Sequence, residues 1–487
     1  MRLVLLAAVF AAVIVLFAGC YKDKGDYSYH NINDITVSAG RDTFSVYQFD
    51  TLDIKPVITQ RIPDEGILKY EWTVSHDFTR PVLPARIIST ERNLHAQIAL
   101  SPISDAYTLI LKVTDSLTRV SSFYHFALKV SSVLSEGWVL LEHGSGHADI
   151  SIIATNDTVY RHVFSAANPT VVLPADAFRV VSINSFFSGQ RNYVLYHGGG
   201  YELAKNTFQV QRPYKDWFYS APAVLHPETI AWPPYSSTIC LVNDGGLYTQ
   251  SPILGGNSFG DRLRPARGDY DAAPFVGGFA FGIPTIIFDQ KNYRFLFVPE
   301  FGESLASWGE TDSTQAFDMN NVQKKLIVLD GGTNFYNNAI FRNLNNDSCF
   351  IYVIDPTGGG PVANRWQPVL NSPDIGKADF FAMSQTVPQL YYAAGNKVYL
   401  YDIAANRSRL VYRFGDNEIV TALKMYYIND GFDHPLNDAR IIAATYDGVT
   451  GRLYYFDLSG TGDIRGNSPG KAFTGFDRIV DLVYQQR

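Results

Sequence analysis

The segment "LYYAAGNKVYLYDI", residues 390–403, decides the fold class of this 487-residue chain. Two runs of aromatic and apolar residues flank Gly395-Asn396, a dipeptide of the kind that closes tight turns between antiparallel strands. The segment therefore predicts a β-hairpin with aromatic-rich strands.

The same pattern of strand, tight turn and aromatic strand recurs from Gly137 to the C-terminus. The turn markers are Gly144, Gly198, Gly245, Gly302, Asp355, Gly395 and Gly448, spaced by 40 to 57 residues. A period of about 50 residues with one hairpin per repeat is typical of four-stranded propeller blades. We predict a β-propeller over residues 137–487, with seven blades from the seven markers and six or eight as alternatives. A large sandwich or a β-helix is the other interpretation.

The C-terminal segment "FDRIVDLVYQQ", residues 476–486, resembles the strands that precede several of these hairpins. No hairpin follows it, and no such strand precedes the first hairpin at Trp138. The last strand is therefore expected to complete the first blade, which closes the ring and leaves no exposed sheet edge.

Residues 35–133 carry a different pattern, a series of short alternating strands separated by turn residues. This length and pattern predict an immunoglobulin-like β-sandwich. Trp72 is expected in its core, and the strand that starts at Tyr107 is expected in the opposite sheet. The whole chain is therefore predicted to be all-β.

The N-terminus has the layout of an export signal. Arg2 precedes an apolar run over residues 3–18, which is shorter than a spanning helix requires. Residues 16–20, "LFAGC", resemble a bacterial lipobox, so we expect cleavage after residue 19 and fatty acylation of Cys20. A retained membrane anchor or an ordinary secretory cleavage are the alternatives. Residues 20–34 are interpreted as a tether.

Net charge and cysteine content argue against several classes of partner and cofactor. Removal of residues 1–19 changes the formal net charge from −7 to −8, which argues against nucleic acid and anionic lipid as partners. Cys240 and Cys349 lie in apolar, strand-like contexts and are expected to be buried free thiols, although a disulfide is the alternative. No cofactor motif and no zinc-type cysteine spacing is present.

No motif predicts catalytic residues. Glu142, His143, His147 and Asp149 in "EHGSGHAD" have metal-binding chemistry, but in a hairpin turn such residues more often cap backbone groups. The segment "SPDIGKADF", residues 372–380, nearly matches the Asp-box of sialidase-like propellers, a turn-stabilising motif.

An aromatic, proline-rich stretch at residues 214–238 is the candidate ligand-binding feature. Its proposed binding residues are Trp217, Tyr219, Trp232 and Tyr235. Aromatic rings in inter-strand loops suit stacking on sugars or anchoring of a partner protein. The alternative is that they fill the space between blades.

The segments "GCYKDKGDYSYHNINDI" (19–35), "YEWTV", "YTLILKVTD" and "SEGWVLLE" (135–142) are similar to those of PKD-like family lipoproteins. This resemblance implies an outer-membrane lipoprotein on the cell surface, accessory to a starch-utilisation-type TonB-dependent importer and its substrate-capturing lipoprotein. It implies no catalytic residues.

We therefore expect a non-enzymatic protein whose propeller binds a glycan, a peptide or the transporter. The alternative is a propeller-type polysaccharide hydrolase or lyase.

Overall fold

The computed structural model describes residues 33–486, apart from 49, 76–84, 101, 104, 186–188, 255, 280, 300, 301, 303 and 429–433. The predicted signal peptide, Cys20 and most of the predicted tether lie outside the described residues. The chain divides into two compact units, residues 1–130 and 131–487.

The N-terminal unit consists of short antiparallel strands, as its alternating sequence predicts. They are β1 (Ile35–Ser38), β2 (Thr43–Tyr47), β3 (Thr51–Ile54), β4 (Val57–Gln60), β5 (Leu68–Ser75), β6 (Arg86–Ser89), β7 (Leu94–Gln97), β8 (Tyr107–Asp115) and β9 (Ser121–Ser131). A five-stranded sheet has the order β2-β9-β8-β5-β6, and the pairs β1-β4 and β3-β7 form two smaller sheets.

Trp72 lies at the centre of the core of this unit, with no exposed surface and its ring stacked on Phe126. Alternate residues of β8 are buried with it, which is the period-2 pattern of a half-covered sheet. The prediction that Tyr107 starts a strand of the opposite sheet is wrong, because β8 pairs directly with β5 and places Leu111 opposite Trp72. Strand alternation predicts which face is buried but not which distant strand is the neighbour.

The second unit contains, in its described residues, seven successive antiparallel sheets of three or four strands. The strands of sheets 1 to 4 are β10 (Gly137–His143), β11 (Ala148–Ala154), β12 (Val159–Tyr160), β13 (Ala177–Ser185), β14 (Gly189–Tyr196), β15 (Gly199–Leu203), β16 (Val210–Pro213), β17 (Pro227–Ala231), β18 (Ile239–Asn243), β19 (Gly246–Gln250), β20 (Thr285–Asp289), β21 (Arg294–Val298) and β22 (Ala306–Ser307). A short helix, α1 (Val163–Ala167), follows β12.

The strands of sheets 5 to 7 are β23 (Lys324–Gly331), β24 (Asn337–Asn343), β25 (Cys349–Ile354), β26 (Ala363–Pro368), β27 (Phe380–Met383), β28 (Gln389–Ala394), β29 (Lys397–Asp402), β30 (Arg407–Arg413), β31 (Ile419–Met425), β32 (Arg440–Tyr446), β33 (Gly451–Asp457) and β34 (Lys471–Phe476), followed by β35 (Arg478–Gln485). Sheet 5 is β23 to β26, sheet 6 is β27 to β30 and sheet 7 is β31 to β34.

The last strand closes the ring. β35 pairs antiparallel with β10, so that sheet 1 has the order β12-β11-β10-β35 and Trp138 lies opposite Tyr484. Buried apolar clusters fill the space between neighbouring sheets, and one of them joins sheet 7 to sheet 1 through Ile442, Leu453 and Ile479. The prediction of an immunoglobulin-like sandwich followed by a β-propeller is confirmed.

Two of the turn markers do not lie in the turn of the central hairpin. In sheet 4 that turn comprises residues 290–293, and Gly302 follows β21; in sheet 5 it comprises residues 344–348, and Asp355 follows β25. The sheet 4 turn contains no glycine and is held by the Asp289 side chain, which accepts the backbone N–H groups of Lys291 and Asn292. Asx-type turns of this kind escape a search for glycine.

Within the described part of the chain, no helix is long and apolar enough to cross a membrane.

Candidate functional site

A cavity of about 750 Å³ lies at the centre of the propeller ring. Its wall includes residues of the inner strands β35, β13, β17, β23, β27 and β31, and residues 274–276 complete the wall on the side of sheet 4. The blades of a propeller surround a central channel, and a concave space of this size is in the range of small-molecule pockets.

Polar side chains tie the inner strands together around this cavity. Asp481 on β35 accepts the backbone N–H of Val180 on β13 at 3.0 Å and forms an ion pair with Lys424 of β31 at 3.5 Å. Arg179 donates to the Thr229 hydroxyl at 2.7 Å, which links β13 to β17. Three of these five residues are charged, and all lie on the wall of the cavity.

Asp330, near the end of β23, lines the same cavity. Its side chain has surface inside the cavity, but the surrounding protein desolvates the carboxyl and raises its pKa, a shift opposed by the Gly331 N–H and the charge of Lys424. Asp379, which immediately precedes β27, also lines the cavity and is exposed. The acidic groups of the cavity therefore have different environments. Asp481 forms an ion pair with Lys424, whereas Asp330 interacts with the same cation only at longer range.

Four aromatic rings from three successive sheets meet at the surface. We call Tyr235, Phe279, Phe281 and Phe335 the aromatic cluster. Phe279 and Phe335 stack with centroids 4.7 Å apart, and Tyr235 contacts all three phenylalanines at 6.0 to 6.2 Å. Phe281 is 78% exposed and Phe335 is 41% exposed.

The backbone that carries the aromatic cluster is strained. Tyr235 has φ +58° and Phe335 has φ +62°, in the left-handed region that bulky side chains rarely adopt. Such conformations cost on the order of 1–3 kcal/mol and cluster at functional sites. The strained backbone places aromatic rings at the surface. Burial of apolar area therefore cannot account for the cost of the strain.

The structure separates the four predicted ligand-binding residues. Tyr219 is 74% exposed, outside the aromatic cluster, and its backbone N–H donates to the Phe259 carbonyl. Trp232 is half-buried on the cavity wall and donates its indole N–H to the Ser236 carbonyl at 2.6 Å. Of the four, Tyr235 belongs to the aromatic cluster.

Trp217 has no exposed surface. It packs edge-on against Tyr193 and Tyr214, in the apolar cluster between sheets 2 and 3. Its face is therefore closed to a ligand, and for this residue the structure agrees with the alternative of an aromatic that fills the space between blades.

Three of the four candidate metal-binding side chains in "EHGSGHAD" bond backbone groups. Glu142 and Asp149 lie opposite each other on β10 and β11, both buried. Glu142 accepts the backbone N–H of Asp477 at 2.8 Å, Asp149 accepts that of Ile150 at 2.7 Å, and the His143 ring bonds the Ala177 carbonyl. Among the residues that the structure describes, no three His, Cys, Asp or Glu side chains group in a way that could hold a metal ion.

The near-match to an Asp-box also has a structural role. Asp374 accepts hydrogen bonds from the Tyr399 hydroxyl at 2.9 Å and from Lys397 at 3.1 Å, and these bonds lower its pKa. The side chain fixes the start of sheet 6 to the hairpin strand β29.

Cys240 and Cys349 are buried free thiols, as expected from their sequence context. Burial raises the pKa of Cys240 to about 12. Neither thiol therefore has the low pKa of a reactive cysteine.

Sequence reasoning missed Phe279, Phe281 and Phe335, and the cavity residues Asp330, Lys424 and Asp481. A signal for the first two was present in "GGFAFGIP", residues 277–284, which places two aromatics between glycines without strand alternation. No comparable signal marks the cavity residues, because they lie on ordinary apolar strands.

Comparisons with known proteins give one family. Residues 20–172 match the PKD-like family, which covers the N-terminal unit and the first strands of the propeller. No curated protein matches the chain.

The solved structures that align with this protein share little sequence with it. A quinonprotein alcohol dehydrogenase-like protein from Bacteroides thetaiotaomicron has 11% identity and a TM-score of 0.43, with 93% of this chain and 99% of that chain covered. The dihydro-heme d1 dehydrogenase NirN has 10% identity and a TM-score of 0.45, with 72% and 76% covered. A DUF4784 family protein from Bacteroides caccae has 11% identity and a TM-score of 0.30, with 90% and 98% covered.

The family match covers residues 20–35 and 135–142 among the segments that carry the resemblance, and it confirms the resemblance to the PKD-like family. The protein carries the PKD-like family segment at residues 20–172. This segment includes the first strands of a closed β-propeller, which the rest of the chain completes.

Proposed function

We propose that this protein is a non-enzymatic lipoprotein of the outer-membrane surface, which serves a TonB-dependent nutrient importer and binds ligand through its propeller. The observation that carries ligand binding is the central cavity of about 750 Å³, in whose wall Asp379 and charged side chains of β13, β23, β31 and β35 lie among apolar residues. The lipobox-like segment at Cys20 supports the location.

Lipid anchoring gives the proposed role a physical basis. Two or more acyl chains hold a protein firmly on a membrane. Confinement to the plane of the membrane raises its effective concentration next to an importer without any additional contact. A rigid ring then offers a binding surface at a fixed place in the cell envelope.

Fatty-acid labelling tests the anchor. Cells that express the protein are fed an alkyne fatty acid, and the wild type is compared with Cys20→Ala. We expect label and membrane retention in the wild type alone. Equal membrane retention of the Cys20→Ala protein would contradict the proposal.

Association with an importer is tested on the same cells. Mild cross-linking and purification of the wild-type lipoprotein should recover a TonB-dependent transporter and its substrate-capturing lipoprotein, identified by mass spectrometry. Protease added to intact cells should degrade the protein. Protection from the protease, or recovery of no transporter, would contradict a surface role beside an importer.

The second candidate is a propeller-type polysaccharide hydrolase or lyase. Asp330 favours it, because a carboxyl with a raised pKa inside a cavity has the property of a general acid, and the exposed Asp379 lies in the same cavity. A reducing-end assay on surface polysaccharides, with Asp330→Asn as the control, distinguishes the two. If the wild type releases reducing ends and the Asp330→Asn variant does not, the result would favour the enzyme.

A further inference from the structure

We propose that the aromatic cluster is a binding site for a neutral glycan. This inference goes beyond the proposed function, which places ligand binding in the central cavity: it assigns a second site on the propeller and the chemical class of its ligand. The cluster consists of Tyr235, Phe279, Phe281 and Phe335 and lies outside the set of residues that line the central cavity.

The loops that carry the four rings have no charge. Residues 232–238, 277–284 and 332–336 read "WPPYSST", "GGFAFGIP" and "GTNFY", without Asp, Glu, Lys, Arg or His. Charged residues make up 18% of the chain, so a surface formed by three uncharged loops differs from the rest of the molecule. Within these loops an anionic ligand would find no cation and a cationic ligand would find no carboxylate, and the Asp355 side chain that interacts with Tyr336 is buried.

The arrangement of the rings suits the apolar face of a sugar. The aromatic face carries partial negative charge, and the edge carries partial positive charge. The axial C–H groups on one face of a pyranose are polarised positive and can contact such a ring face. Phe281, which is 78% exposed, and Phe335 offer this surface to solvent.

The polar side chains of the same loops are hydroxyls and amides. Ser237, Thr238, Thr333 and Asn334 flank the rings in sequence, and all are neutral groups that can exchange hydrogen bonds with sugar hydroxyls. An uncharged glycan has apolar C–H faces and neutral hydroxyls. The loops offer matching groups, namely aromatic ring faces beside neutral polar side chains.

The strained backbone supports a binding role. The positive φ angles of Tyr235, Asn334 and Phe335 lie in two of the three loops and aim the cluster at the surface. Protein-contact hot spots are enriched in Trp, Tyr and Arg. The loops of the aromatic cluster contain Trp232 and two Tyr, which suit either partner, but they contain no Arg or other charged side chain for the rim of a protein contact, so a neutral glycan fits better.

Affinity electrophoresis tests the site. The full-length lipoprotein, purified in detergent, is run through native gels that contain soluble starch, dextran, laminarin or galactomannan, and through gels with the anionic polygalacturonate or chondroitin sulfate. The variant is Phe281→Ala. The matched control is Phe123→Ala, which removes an exposed phenylalanine ring on β9 of the N-terminal unit.

We expect at least one neutral polysaccharide and neither anionic one to retard the wild type. Phe281→Ala should weaken this binding roughly tenfold, the scale of one lost aromatic contact, whereas Phe123→Ala should bind as the wild type does. Equal melting temperatures of the three proteins would establish that both variants are folded.

Three outcomes would overturn the inference: no retardation by any neutral polysaccharide, retardation that Phe281→Ala leaves unchanged, or preference for an anionic polysaccharide. Self-association of the wild type that Phe281→Ala abolishes would make the cluster a protein contact instead. The proposed function is tested separately, since acylation and recovery of the transporter do not depend on these gels.

Discussion

Trp217 and Tyr219 are two positions apart in the sequence and have opposite environments. Trp217 is fully enclosed between sheets 2 and 3, whereas Tyr219 is 74% exposed. At the scale of single residues, the aromatic content of this chain therefore serves two purposes. Many of the described rings are buried within and between sheets, and a few are exposed at the surface.

Alanine substitution should separate these two roles. Trp217→Ala should lower the free energy of unfolding by about 3–5 kcal/mol, because it leaves a large cavity in a packed core. Tyr219→Ala should change it by less than about 0.5 kcal/mol, as surface substitutions usually do. Urea unfolding followed by circular dichroism measures both, and similar values for the two variants would contradict the assignment.

Glu142 gives a residue-scale prediction of pH dependence. Burial raises its pKa in the folded protein, and its Oε1 has no hydrogen-bond partner in the described structure. The folded state therefore binds this proton more tightly than the unfolded state, so the contribution of Glu142 to stability falls as pH rises above the unfolded pKa of about 4.5.

Glu142→Gln removes the charge and keeps an oxygen that can accept the Asp477 N–H. At pH 7 the variant should be more stable than the wild type by about 1 kcal/mol, the scale of one unsatisfied buried polar group. The difference should shrink as pH falls toward 4. Urea titrations from pH 4 to 8 measure it, and a difference that grows toward low pH would show the opposite sign of the pKa shift.

At the scale of elements, β35 has the largest structural consequence. It supplies the inner strand of sheet 1, and its Ile479 and Leu482 are fully buried between sheets 7 and 1. Gln485 donates to the Leu134 carbonyl at 2.8 Å and accepts from Asn192, which ties the end of the chain to the segment before β10 and to β14 of sheet 2.

A chain that ends at Asp477 lacks β35 and should lose the cooperative unfolding of the propeller. It would expose the edge of β10 and the apolar faces of two sheets, which favours aggregation. A chain that ends at Gln485 keeps the whole strand and is the matched control. Calorimetry and limited proteolysis should show a propeller transition in the control alone, and a transition retained without β35 would contradict closure by this strand.

At the scale of the whole molecule, the propeller is a ring in which each sheet packs only against its two neighbours. Cys240 lies on β18 of sheet 3 and Cys349 on β25 of sheet 5, so the two thiols report on different parts of that ring. Both are buried, Cys240 with its thiol 3.5 Å from the Thr285 hydroxyl.

Thiol labelling should therefore report the opening of the ring. With Cys20 replaced by Ala, neither remaining thiol should react with Ellman's reagent at pH 8 until the propeller unfolds, because both are shielded and burial raises their pKa values. Both should then become reactive over the same range of urea concentration. Reaction of Cys349 well before Cys240 would show that sheet 5 opens on its own.

Much of this architecture could be predicted from local sequence. Hairpins such as residues 390–403 are specified by their aromatic and apolar runs and their turn dipeptide, and the last strand at residues 478–485 is recognisable because it lacks a hairpin of its own. The turn at residues 290–293 was missed because an Asp side chain, and not a glycine, closes it.

Among the candidate binding residues, sequence reasoning identified Tyr235 but not its three neighbours. The four rings of the aromatic cluster span about 100 positions in the sequence and meet because sheets 3, 4 and 5 are adjacent. Local sequence patterns do not show which distant segments come into contact in the fold. For the same reason they could not identify β5 as the neighbour of β8.

The sequence by itself determined the all-β class, the sites of most strands and the strand that closes the ring, because strand periodicity and turn chemistry act over a few residues. Tertiary structure alone decided which aromatics are core and which are surface. Burial of a side chain depends on what the rest of the chain packs against it.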